Sequence, residues 1–110
     1  MAGLALAAVS SSQAAVVVKA VASDASPTGY AFRPRSIQVA AGTKVTWKAV
    51  AGSHDVTATS KNWSKRSTLQ IGVPTSFTFR KPGIYRYRCT IHSSMGDGTC
   101  VGQCGKVVVS

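Results

Sequence analysis

The chain carries almost no helical periodicity. Its apolar residues recur in short alternating runs broken by Gly, Pro, Ser and Thr, the pattern of strands that bury one face. That confines it to an all-β sandwich. Val16 to Ala22 reads as the first strand and residues 23–29 as a polar turn segment. Ile37 and Val39 alternate with polar neighbours, Ala41-Gly42-Thr43 turns the chain, and Val45 and Trp47 continue on one face. Residues 58–68 read as a polar connection containing Trp63, Phe77 and Phe79 alternate again, and Lys81-Pro82-Gly83 is a turn. The last strand is expected from Lys106 to Ser110. Both tryptophans read as core or edge packing rather than as electron relays.

The strand Tyr85-Arg86-Tyr87-Arg88-Cys89 says most about function. With a period of two, Tyr85, Tyr87 and Cys89 share one face and the two arginines the other. The aromatic face must point inward, so Cys89 is delivered to the interior end of a strand. The next residues continue Thr90-Ile91-His92-Ser93-Ser94-Met95, placing an imidazole and a thioether in a tight loop behind the thiol. The second of the chain's two histidines, His54, stands in a short loop after Gly52-Ser53 and just ahead of another strand. Two histidines and a cysteine with a weak axial methionine form the ligand set of an electron-transfer copper site. Thiolate and thioether favour Cu(I), and imidazole also suits Cu(II). A structural zinc site takes four His or Cys ligands, and no position here is left open for a substrate, which argues against catalysis. Taken singly, Cys89 would be a buried small residue, His54 a loop histidine and Met95 a core residue. It is their joint placement at loop ends of one sandwich that points to metal.

At 110 residues the chain is one domain, 45% apolar. Residues 1–14 are expected to be a leader remnant or a disordered Ala-rich tail, with the domain over 15–110. Residues 2–9 form an apolar stretch and Ser12-Gln13-Ala14 a small-x-small cleavage site, although the positive start of a leader is missing. The body holds no apolar run long enough to span a bilayer. Thirteen Lys and Arg against three acidic residues give a formal net charge of +10, a field that attracts acidic partners. Nucleic acid is excluded as the partner because the basic residues follow no recognisable module and no stripe with interleaved aromatics. Arg86 and Arg88, projecting outward, and the cluster Lys61, Lys65 and Arg66 are the candidate docking residues. Three cysteines in an exported chain divide into one disulfide and one cysteine with another task.

These residues resemble the cupredoxins, and within them the plastocyanin, amicyanin and pseudoazurin group. The likeness covers residues 30–110. It begins with Phe32, Pro34, Ile37, Val39, Gly42, Val45 and Trp47, and continues through His54-Asp55-Val56 to Pro82-Gly83-x-Tyr85-x-Tyr87-x-Cys89-x-x-His92-x-x-Met95. It implies a Greek-key β-sandwich, one type 1 copper ion held by His54, Cys89, His92 and Met95, and an electron port at the exposed edge of His92. By the same likeness the chain is a monomeric blue copper protein, not an enzyme. It would shuttle single electrons to acidic redox proteins such as cytochromes or oxidoreductases in the periplasm or outside the cell. Copper storage or delivery on the same fold is the alternative. Two departures stand out. Asp55 replaces the usual asparagine that ties the ligand loops together; it can still accept a hydrogen bond from Thr90, but its charge favours Cu(II). Nine residues, 96–104, are inserted after Met95 and contain Cys100 and Cys104. Their Cys-x-x-x-Cys spacing resembles the dinuclear copper loop of cytochrome oxidase subunit II. There, however, the cysteines precede the His and Met, so a disulfide closing a small surface loop is expected here. Free thiols or an accessory metal-binding pair are the alternatives.

Overall fold

The computed structural model describes residues 16–110; the Ala-rich segment read above as leader or tail lies outside the described residues. The strands are β1 (Val16–Ala22), β2 (Tyr30–Arg33), β3 (Ser36–Val39), β4 (Thr43–Ala49), β5 (His54–Ala58), β6 (Arg66–Leu69), β7 (Thr75–Phe79), β8 (Gly83–Gly96) and β9 (Thr99–Val109). They form a four-stranded sheet in the order β2-β1-β4-β7 and a five-stranded sheet in the order β3-β9-β8-β5-β6. This is the all-β sandwich expected from the alternation, with the Greek-key form that the family resemblance implies. Parallel pairs, β1 with β4 and β3 with β9, occur beside antiparallel ones.

The inner faces supply the core. Val18, Ala20, Phe32, Val45, Trp47 and Phe79 from one sheet meet Val56, Leu69, Tyr85, Tyr87, Cys89 and Val107 from the other. Burial of side chains of this size contributes roughly 1.5–3 kcal/mol each. Trp63 packs on this cluster from the edge and donates its indole N–H to the Arg86 carbonyl at 3.0 Å. Tyr87 lies directly across the β8–β9 ladder from Gly105. A Cβ at Gly105 would run into the Tyr87 ring, so the glycine makes room for that aromatic side chain.

Two boundaries differ from the sequence reading. The polar connection over 58–68 ends in strand β6, an edge strand paired to β5, with Leu69 as its one buried residue. An edge strand with a solvated outer face needs few apolar residues, so its composition resembles a loop. The final strand begins at Thr99 rather than Lys106, and the insertion is the tip of the β8–β9 hairpin rather than a separate loop. Asp97 and Gly98 make the two-residue turn, both with positive φ (53° and 75°), the conformation for which an Asp-Gly pair is favoured.

The Tyr87 hydroxyl is buried without a hydrogen-bond partner. Burial disfavours the phenolate and pushes its pKa up to about 12, with the neighbouring Trp47 acting the other way. The unfolded chain releases this proton near pH 10, before the folded one does. Stability is therefore fully present below pH 10 and falls as pH rises toward 12, by up to about 3 kcal/mol from this group. Tyr87→Phe should match wild type in denaturant melts at pH 8 to within about 1 kcal/mol, since no bond is lost. It should lack this part of the alkaline decline.

Candidate metal centre

The β8–β9 ladder contains one large irregularity. Arg88 pairs with Cys104 and Ser93 with Gly102, so Cys89-Thr90-Ile91-His92 on β8 stand opposite Gln103 alone on β9. Four residues against one make a bulge, which re-aims side chains that a regular strand would send to alternating faces. Local bonds hold it. Ser93 donates its hydroxyl to the Cys89 carbonyl, and the Arg88 guanidinium donates to the Ser93 hydroxyl at 3.2 Å. Asp55 accepts the Thr90 backbone N–H at 3.0 Å, the Thr90 hydroxyl, and the Thr57 hydroxyl at 2.8 Å. The Asp55 carboxylate thus fastens the ligand loop of β8 to β5, whose first residue is His54.

His54, Cys89 and His92 come together, their ligand atoms all within 4.8 Å of one another. Cys89 Sγ lies 3.9 Å from His54 Nδ1 and 3.6 Å from His92 Nδ1. A first-row ion bonded to nitrogen at about 2.05 Å and to sulfur at about 2.3 Å, with a trigonal angle, would separate N and S by about 3.8 Å. The donors fit one such ion. His54 Nε2 is turned to the Ala51 carbonyl, which as an acceptor fixes the tautomer and leaves Nδ1 as the lone-pair atom. Cys89 and His54 are buried and His92 is half-buried. Tyr30 covers both imidazoles, its ring centroid 4.2 Å from that of His92 and 5.1 Å from that of His54.

Met95, the fourth ligand expected from the sequence, stands on the hairpin arm of β8. It sits beyond the bulge, paired with Cys100 in the hairpin, 41% exposed, and lines an outer groove with Arg86, Thr99 and Lys106. The hairpin turn at Asp97-Gly98 sets that register. Gln103 reaches the site instead: fully buried, its Oε1 is 3.0 Å from His54 Nδ1 and 3.1 Å from His92 Nδ1. Neither Gln103 nor Tyr30 figured among the candidate site residues. The Asp-Gly turn was the signal for the first, because continuing the ladder from it brings β9 back past the loop.

Residues 18–109 match the family described as copper binding proteins, plastocyanin/azurin family. The chain belongs to that family. Cys100 and Cys104 form a disulfide, with Cα atoms 6.2 Å apart, and Cys89 is the free cysteine. Comparison with curated protein sequences gives no match. Among solved structures, a pseudoazurin from Sinorhizobium is 25% identical over 87% of this chain and 73% of its own, with a TM-score of 0.67. An amicyanin variant is 26% identical over 87% and 82%, with a TM-score of 0.65. A Cu-containing nitrite reductase from Thermus scotoductus SA-01 is 24% identical with a TM-score of 0.67; the match covers 88% of this chain but only 22% of the enzyme, and shows the fold alone. The family and the three converging donors make copper the metal of this cupredoxin.

Arg66, Arg86, Arg88 and Lys106 fall on the outer face of the five-stranded sheet. Arg66 and Arg88 both flank Thr57, and Arg86 pairs with Lys106; cross-strand partners share a face. Arg86, Arg66 and Lys61 are exposed, whereas Arg88 is half-buried. Lys65 does not join them. Its ammonium donates to Thr75 Oγ1 at 2.8 Å, to the Ser76 carbonyl at 3.1 Å and to Ser67 Oγ at 3.2 Å. It lies 5.8 Å from the Trp47 ring centroid, and burial lowers its pKa from the ordinary lysine value.

Asp55→Ala should free the Thr90 N–H and hydroxyl and destabilise the metal-free protein by about 1–3 kcal/mol in urea melts. Asp55→Asn, which keeps one acceptor oxygen, should lose less.

Proposed function

We propose that this cupredoxin is a one-electron carrier whose type 1 site is built on His54, Cys89 and His92. The observation that carries the reading is the closure of the site. Two imidazole nitrogens and the Cys89 sulfur converge in a largely buried pocket, with the Tyr30 ring tilted against His92 and edge-on to His54. So covered a metal suits electron transfer better than catalysis. Electrons need only the half-buried ring of His92 at the surface. The bound ion would supply the Cu(II)/Cu(I) couple. Cys89 contributes the soft donor that stabilises Cu(I), and the imidazoles suit both states. A donor set fixed by Asp55, Ala51 and Ser93 needs little rearrangement when an electron arrives. Around His92 the same end of the sandwich exposes Ile91, with Val50 ahead of His54 and Val73 in the turn after Leu69. This apolar rim suits close approach of a partner, and the basic sheet face suits its orientation. The redox partner in this reading is an acidic protein. The Cys100–Cys104 disulfide suits the oxidising compartment of an exported chain, and no helix among the described residues is long and apolar enough to cross a membrane.

Adding Cu(II) to the metal-free protein should produce an intense blue band, which Cys89→Ser abolishes while circular dichroism keeps its β-sheet form. A Ser variant that stays blue would place the thiolate elsewhere. Electron transfer to an acidic cytochrome should slow about tenfold or more between roughly 10 mM and 150 mM salt, as the screening length falls from ~30 Å to ~8 Å. Arg86→Glu with Lys106→Glu should slow it at low salt and leave the visible spectrum unchanged. A stopped-flow rate indifferent to both would assign docking to the apolar rim alone.

A further inference from the structure

Gln103 is buried at the metal centre with its two amide atoms in unequal positions. Oε1 stands 3.0 Å from His54 Nδ1 and 3.1 Å from His92 Nδ1. Nε2 is buried with no hydrogen-bond partner. The Ala51 carbonyl holds the proton of neutral His54 on Nε2, so the Nδ1 lone pair faces the lone pairs of Oε1. Two acceptors at that distance repel, and a cation bound between them would turn the repulsion into coordination. The same Nδ1 atoms lie 3.9 and 3.6 Å from the sulfur of Cys89. Both imidazoles thus stand within 4 Å of the thiol sulfur and of the amide oxygen.

We propose that Gln103 Oε1 is the fourth, axial donor to copper, in the position for which the sequence spacing suggests Met95. The assignment rests on the reading of this site as a copper centre. An oxygen about 2.1 Å from a first-row ion, perpendicular to nitrogen bonds of about 2.05 Å, lies roughly 3 Å from each nitrogen. Gln103 Oε1 meets that condition toward both histidines. An axial Gln is a known variant of the trigonal His2Cys site. Met95 is meanwhile held in the hairpin ladder opposite Cys100. The backbone beside Gln103 is shaped for the task. Gly102 has φ +103°, and a Cβ there would come 2.6 Å from the His92 carbonyl oxygen. Only glycine lets β9 press this closely against the ligand loop. The amide oxygen is a harder donor than a thioether, so it favours Cu(II) and lowers the reduction potential.

The test uses the full chain loaded with copper and compares reduction potential, visible spectrum and EPR for wild type, Gln103→Leu, Gln103→Met and Met95→Leu. Gln103→Leu should raise the Cu(I):Cu(II) ratio at fixed poise more than tenfold, a potential shift above 59 mV. Gln103→Met should shift it the same way by less, and Met95→Leu should leave potential and spectrum within a factor of two of wild type. A shift with Met95→Leu and none with Gln103→Leu, or no shift with either, overturns the proposal. Where Gln103→Leu fails to fold, wild type substituted with Co(II) gives the answer by NMR. Strongly hyperfine-shifted side-chain amide signals from Gln103 support the bond, and unshifted ones overturn it. A wild type that never turns blue would instead remove the copper centre itself, and this assignment with it.

Discussion

The mismatch in the β8–β9 ladder, four residues on one strand against one on the other, is the constraint on which the site depends. A regular ladder would send Cys89 and Ile91 to one face and Thr90 and His92 to the other. The bulge lets Cys89 keep its inward position while His92 swings back toward it, and it leaves Gln103 facing both. The bulge has its own supports. Asp55 satisfies the Thr90 N–H that the ladder gives up, and Ser93 satisfies the Cys89 carbonyl. Backbone groups released from a sheet need such partners, because an unmet buried group costs about 1–3 kcal/mol. The side chains around the copper site therefore repair the ladder as well as build the pocket.

Much of this was legible in the residues. The alternation Tyr85-Arg86-Tyr87-Arg88-Cys89 places the thiol inward without knowledge of the fold, because one face of that strand is too apolar to be solvated. His54 and His92 were legible as the chain's two imidazoles near strand ends. What the local pattern could not decide was which later side chain completes the group. The His-x-x-Met spacing suits a short loop, but a short loop requires that the strand resume soon after Met95. Asp97-Gly98 instead turns a hairpin there, which pairs Met95 outward and returns the chain through Gln103. The choice is made by a pairing register between distant residues. The hydrogen bonds of Lys65 were hidden for a similar reason: its sequence neighbours are polar, yet the β7 residues Thr75 and Ser76 that it bonds are ten and eleven positions away.

In the electron-carrier reading, the two surfaces would divide the work of meeting a partner. Charge on the outer sheet face, from Arg66, Arg86 and Lys106, acts over distances set by the screening length. The apolar rim near Ile91 acts only on contact. Encounter and final fit are thereby separated in space, and the His92 edge belongs to the second.

The disulfide brackets the pocket residue of β9. Cys100 and Cys104 lie 6.2 Å apart at Cα, where four steps of extended strand would span about 13 Å. The chain between them is drawn into a closed curl, and Gln103 is inside it. The bond between half-buried Cys100 and buried Cys104 thus spans a residue of the metal pocket. In the reading of an exported copper protein, the thiol chemistry of the folding compartment would thus reach the metal pocket as well as the surface hairpin.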